Sequence, residues 1–225
     1  MKNRALVVAE VLLVATILVI AILWVRMPDG DYEPLLALFT ALLIPLDAVR
    51  RYLRSRKLRV FLSVGATYTQ LQEYFVLSFE SLLRDFDCER LVVGRDNPPS
   101  RQPVLEVRDL MNKADAVIVL AFTRVIVEKA TEKPNADNPE DTKVLHSLRY
   151  PTVWNQIEAG IAFGLQRPLL IIMEEGLNSE AMLKDRTEFK AITVPFDASI
   201  LQEPDFKSRL SKFVAIARLR SWFKL

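Results

Sequence analysis

The chain has 225 residues, 51 % of them hydrophobic, with 30 Lys/Arg set against 28 Asp/Glu. One cysteine (Cys88) excludes an intrachain disulfide framework and a thiolate-rich metal site, and one histidine (His146) argues against a His-based metal centre. Six glycines leave no room for a P-loop or a GxGxxG fingerprint, and a net charge of −2 over residues 60–225 argues against a nucleic-acid partner.

The first element is an apolar run from Ala5 to Val25, interrupted by Glu10 and Thr16. Its length suits a membrane-spanning helix, and Trp24 lies at its end, where an amphipathic ring suits an interface. Lys2 and Arg4 would also suit a signal peptide, but the run ends in Leu23-Trp24-Val25-Arg26, not in a small-residue cleavage site. A second apolar run, Leu35 to Val49, contains Pro45 and Asp47. An acidic loop (Asp29, Asp31, Glu33) precedes it, and a basic cluster (Arg50, Arg51, Arg54, Arg56, Lys57, Arg59) follows it. Two spans would put both basic flanks on one side, as the positive-inside rule asks. The expectation is a transmembrane hairpin over residues 1–57, with helices at 5–25 and 35–49. Both termini and the main domain are then cytoplasmic, and the membrane is a partner. Tethering raises local concentration, which predicts a homo-oligomer.

Residues 58–225 read as a second domain. Leu58 to Val64 is a predicted strand closed by Gly65. A helix is predicted over 67–85, with Leu71, Phe75, Phe79, Leu82 and Phe86 as its buried stripe. Cys88 to Val93 is a second strand, closed by Gly94, and a helix follows over 104–113. Ala116 to Phe122 is almost continuously apolar, as a strand covered on both faces would be. Residues 125–151 include the polar stretch Lys129 to Lys143 and predict a mobile insertion. A helix over 152–165 follows, with Ile157, Ile161 and Leu165 facing the sheet. Gly160 and Gly164 are placed to admit a close neighbour. Pro168 to Met173 and Ala191 to Phe196 complete five strands, and a last helix spans 204–223. Strands alternating with helices predict an α/β, flavodoxin-like, doubly wound parallel sheet preceded by the two membrane helices. Ligands of such sheets bind at the carboxyl ends of the strands. That points to Ser63 to Thr67 after the first strand, Phe122 to Arg124 after the third, and Glu174 to Gly176 after the fourth.

The segment from Tyr150 to Gly164 is the richest in chemistry. Trp154 and Glu158 are four apart and share a helix face. Glu158 offers a carboxylate, Trp154 a surface for stacking a base, Asn155 an amide for a ribose hydroxyl or a cap, and Arg124 a cation for a phosphate. Glu158, Gly160, Ala162 and Pro168 form an E-x-G-x-A-(x)5-P pattern. This resembles a segment of nucleoside 2-deoxyribosyltransferase-like proteins and of bacterial TIR (Toll/interleukin receptor) domains, the NAD-consuming effectors of anti-phage signalling. Val60-Phe61-Leu62-Ser63, Asp115 to Phe122 and Val194-Pro195-Phe196-Asp197 are similar to TIR-like segments in the same order. The resemblance implies that Glu158 is catalytic and that Ser63, Gly65, Thr67, Arg124, Trp154 and Asn155 bind substrate. It implies an NAD glycohydrolase acting in anti-phage defence, with NAD as substrate and no separate cofactor or metal. A non-catalytic nucleotide-sensing or scaffolding module is the alternative. A nucleotide N-glycosidase or deoxyribosyltransferase is another, and would need a second acid such as Asp96 or Glu174.

Overall fold

The structure, a computed structural model, describes residues 2–26, 32, 34–41, 56–92, 102–184, 191–195 and 197–221. The chain divides into two compact units, Leu58–Arg220 and the remainder. The remainder holds helix α1 (Lys2–Arg26) and a short helix α2 over 34–41.

The two predicted membrane spans require correction. Among the described residues, no helix is long and apolar enough to cross a membrane. Helix α2 has eight residues. That is far short of the roughly 20 apolar residues that a crossing helix needs. The two-pass arrangement, with its cytoplasmic termini and domain, loses its basis with them. Residues 42–55, with Arg50, Arg51 and Arg54, lie outside the described residues.

The unit Leu58–Arg220 is built on a parallel sheet of five strands: β1 (Leu58–Val64), β2 (Cys88–Leu91), β3 (Ala116–Ala121), β6 (Leu169–Glu174) and β7 (Ile192–Val194). Their order is β2-β1-β3-β6-β7, the order of a flavodoxin-like sheet. Central β3 is buried at every position, which accounts for its unbroken apolar sequence. Side-chain alternation divides the core in two. Val60, Leu62, Ile118 and Leu120 pack on one face against α3 (Gln70–Asp85) and α6 (Pro204–Ser221). Phe61, Val117 and Val119 pack on the other, against α4 (Pro103–Lys113) and α5 (Val153–Gly164). Ser63, two positions beyond Phe61, is therefore carried to the α5 face.

Helix starts follow their caps. The side chain of Thr69 accepts from the Gln72 N–H, so α3 begins at Gln70 and not at 67. Leu71, expected in the buried stripe, is 70 % exposed, while Phe75, Val76, Phe79, Leu82 and Leu83 are buried. In α5 the buried residues are Asn155, Ala159 and Ala162; of the expected stripe, Ile161 and Leu165 pack partly buried against the same core and Ile157 is exposed. Small side chains let this helix sit close to the strands, and a pattern read from large residues finds only the edge of the buried face. The space around Gly160 and Gly164 is open, so these glycines do not serve a close contact. Gly65 does: a Cβ there would come within 3.1 Å of Thr152 Cγ2.

The insertion predicted over 125–151 contains an antiparallel ribbon. β4 (Val125–Glu132) pairs with β5 (Lys143–Tyr150) from Val125↔Tyr150 to Glu132↔Lys143. A 3₁₀ turn at Pro139–Asp141, capped by Asn138, lies between them. Neither strand has a buried side chain, so the alternation that would announce a strand is missing. Gly94 and Asp96 lie outside the described residues.

Candidate functional site

The sheet order reverses between β1 and β3, and a cleft of about 390 Å³ opens beyond their carboxyl ends. This is where a doubly wound sheet leaves a crevice. Gly65 lines it after β1, Phe122 to Arg124 after β3, and Thr152, Trp154, Asn155 and Glu158 at the start of α5. The Thr152 side chain caps α5 by accepting from the Trp154 N–H at 3.3 Å. That cap sets the helix phase, and with it the direction of everything in the first two turns.

Asn155, Ala159 and Ala162 are the buried residues of α5, and Glu158, three residues beyond Asn155, lines the cleft. Asn155 is 1 % exposed. Its Nδ2 donates to Ser63 Oγ at 3.1 Å and to the Leu120 carbonyl at 3.3 Å, while its Oδ1 is buried without a partner. Glu158 is half-buried. Burial raises its carboxyl to about 7, against a hydrogen bond from Ser63 that pulls the other way. A carboxyl with a pKa near neutrality in a cleft suits proton transfer or stabilisation of a cation.

The opposite wall hangs from β3. The Thr123 N–H donates to Glu174 Oε2 at 2.7 Å, and the Tyr68 hydroxyl donates to the Thr123 carbonyl. The Arg124 guanidinium lies 5.4 Å from the centre of the Tyr68 ring, a cation–π distance. Its backbone N–H donates to the Tyr150 carbonyl, which ties the ribbon to the cleft. Trp154 is 40 % exposed, so its ring is open to a planar ligand.

Five of the seven predicted site residues meet at this cleft: Gly65, Arg124, Trp154, Asn155 and Glu158. Ser63 does not line it; it is buried, and its Oγ accepts from Asn155 Nδ2. Thr67 is not among the lining residues, and its hydroxyl donates to Glu73. Phe122 and Thr123, expected after the third strand, also line it, and Tyr68 belongs to the site and was not predicted. Tyr68 carried no periodic signal, but an aromatic just beyond the first strand's loop was a usable clue. Glu174, a candidate second acid, is engaged by the Thr123 N–H and does not line the cleft. Among the described residues, Glu158 is the one carboxylate lining it. Exposed His146 sits on β5, opposite Lys129. Burial pushes the Cys88 thiol up to about 11, which makes it a poor nucleophile.

No family model matches the chain, and none of the curated proteins matches it.

Proposed function

We propose that this chain is an NAD glycohydrolase with Glu158 as its catalytic carboxylate. The observation that carries the reading is one half-buried carboxylate, raised towards neutrality, in a cleft that also presents Trp154 and Arg124. Breaking an N-glycosidic bond passes through an oxocarbenium-like state, which a carboxylate stabilises. Ordinary leaving groups need a second, protonated acid. Nicotinamide does not, because it departs from a pyridinium: the C1′–N electron pair neutralises the ring nitrogen. Water then adds to C1′ and loses a proton, giving nicotinamide, ADP-ribose and H⁺. Above its midpoint near 7 the ionised Glu158 faces the ribosyl cation and accepts that proton. Trp154 stacks a base and Arg124 pairs with the diphosphate. The resemblance around Glu158–Pro168 supports an anti-phage role.

The test is nicotinamide release from NAD by the purified full-length chain beside Glu158→Gln. The wild type releases nicotinamide, and the variant is slower by about a hundredfold or more, the scale of a lost electrostatic group. Nucleotide bound without cleavage by either protein would replace this reading with the non-catalytic nucleotide-sensing module.

A further inference from the structure

We infer that the cleft reads the two hydroxyls of a ribose, through Asn155 Oδ1 and Thr123 Oγ1, and so selects ribonucleotides over 2′-deoxyribonucleotides. The inference rests on the reading of Glu158 as the carboxylate that faces C1′. Thr123 and Asn155 both line the cleft, and they are only 8 % and 1 % exposed. Among the described residues, their Oγ1 and Oδ1 are the two buried side-chain polar atoms without a hydrogen-bond partner. Leaving such an atom unpaired is costly. That both fall in one cleft points to a ligand that pairs them.

The chemistry of each atom follows from what holds its residue. Both Nδ2 protons of Asn155 are spent, on the Leu120 carbonyl at 3.3 Å and on Ser63 Oγ at 3.1 Å. The Leu120 carbonyl can only accept, so the amide cannot be turned round, and Oδ1 is left as a pure acceptor. It asks the ligand for an O–H or an N–H, which an ionised phosphate does not offer. Thr123 is held through its main chain: its N–H donates to Glu174 Oε2 at 2.7 Å, and its carbonyl accepts from the Tyr68 hydroxyl. Its own hydroxyl, able to donate and to accept, is left over. Leu120 and Thr123 are three residues apart, at most about 10 Å, so one bound nucleoside can reach both residues. Asn155 lies three residues before Glu158 on α5, and such pairs are neighbours on a helix surface. With Glu158 at C1′, the ligand donor beside it is the hydroxyl on C2′, which goes to Asn155 Oδ1. The hydroxyl on C3′ goes to Thr123 Oγ1. A 2′-deoxyribose brings no donor to Asn155 and leaves its oxygen unpaired in the complex.

The experiment is calorimetric binding to the full-length chain carrying Glu158→Gln, which slows turnover. The ligands are NAD and its analogues lacking the 2′- or the 3′-hydroxyl of the nicotinamide ribose. Each is measured with and without Thr123→Val, which keeps the side chain's shape and leaves the main-chain bonds in place. The 2′-deoxy analogue binds at least about tenfold more weakly than NAD in both proteins. The 3′-deoxy analogue binds about tenfold more weakly than NAD when Thr123 is present, and as well as NAD in the Thr123→Val protein. Thr123→Ser keeps the hydroxyl and the preference. Without ligand, Thr123→Val melts no lower than its parent, because the hydroxyl it removes has no partner there; a lower melting temperature would give that hydroxyl a structural role and overturn its assignment. Equal binding of all three ligands, or no measurable binding of NAD, would overturn the inference. Hydroxyl-dependent binding by a chain whose wild type releases no nicotinamide would sink the proposed function and leave the ribose reading standing.

Discussion

Glu158 gains its reactivity at the expense of the fold. Its carboxyl titrates near 7 in the folded chain, against an ordinary value of 4.5. Between those two values the folded state binds the proton more tightly than the unfolded state does. Stability contributed by the neutral form is therefore whole below 4.5 and is lost as pH rises through 7. The full shift corresponds to about 3 kcal/mol, and partial solvent contact at Glu158 reduces this to about 2 kcal/mol. Glu158→Gln removes the charged form, so the variant should be more stable than wild type at pH 8 by about 1–2 kcal/mol and equal to it at pH 4. Urea denaturation at the two pH values measures the difference. Equal stabilities at pH 8 would mean that Glu158 is not strained by burial.

A second residue-scale prediction concerns Glu174. Its Oε2 accepts from the Thr123 N–H, and Thr123 in turn accepts from Tyr68. Glu174→Ala leaves a main-chain donor unpaired and should cost about 1.5–3 kcal/mol, the worth of a hydrogen bond to a charged group. Since the Tyr68–Arg124 wall hangs from that segment, the KM for NAD should rise more than kcat falls. A loss confined to kcat would instead place Glu174 in the chemistry.

At the scale of elements, most strands and helices were legible, and the exceptions have physical reasons. β3 and β6 announce themselves because strands covered on both faces are apolar throughout. β4 and β5 do not, because their side chains lie largely in solvent and show no buried period. The usable signal was composition: Val125, Ile126, Val127 and Thr131 are β-branched, and the stretch between the strands is rich in turn formers. The ribbon predicts a cross-strand contact between Lys129 and His146 in NMR spectra, together with slowed amide exchange along both strands. Fast exchange throughout 125–151 would restore the mobile loop. The face of α5 was legible only in part, since Ile161 and Leu165 pack on the core but Ala159 and Ala162 bury more completely than the larger Ile157.

The close approach of β1 to α5 gives the other element-scale prediction. Gly65→Ala places a methyl against Thr152 Cγ2 and should destabilise by about 1 kcal/mol, the low end for overpacking. Thr152→Ser removes that methyl and keeps the capping oxygen, so the pair of substitutions should recover most of the loss. Equal losses with and without Thr152→Ser would place the strain elsewhere.

At the scale of the whole molecule, the candidate site belongs to the topology and not to a local motif. Ser63, Thr123 and Glu158 lie far apart in sequence. They converge because strand order reverses between β1 and β3 and α5 returns across that gap. The location of the site was therefore legible once five parallel strands were inferred. Its hydrogen bonds were not, because no pattern in one sequence reveals that Ser63 meets Asn155 or that Glu174 meets Thr123. The apolar N-terminal runs led to two membrane spans, and among the described residues no helix is long and apolar enough to make one.

The most direct test of the account is nicotinamide release from NAD by the purified full-length chain at pH 8, where Glu158 is ionised, with Glu158→Gln alongside. The account predicts release by the wild type, falling as pH drops below about 7, and near-complete loss in the variant. Equal release by both proteins would remove Glu158 from the mechanism. Absence of release by the wild type at concentrations that saturate the cleft with NAD would contradict the glycohydrolase itself.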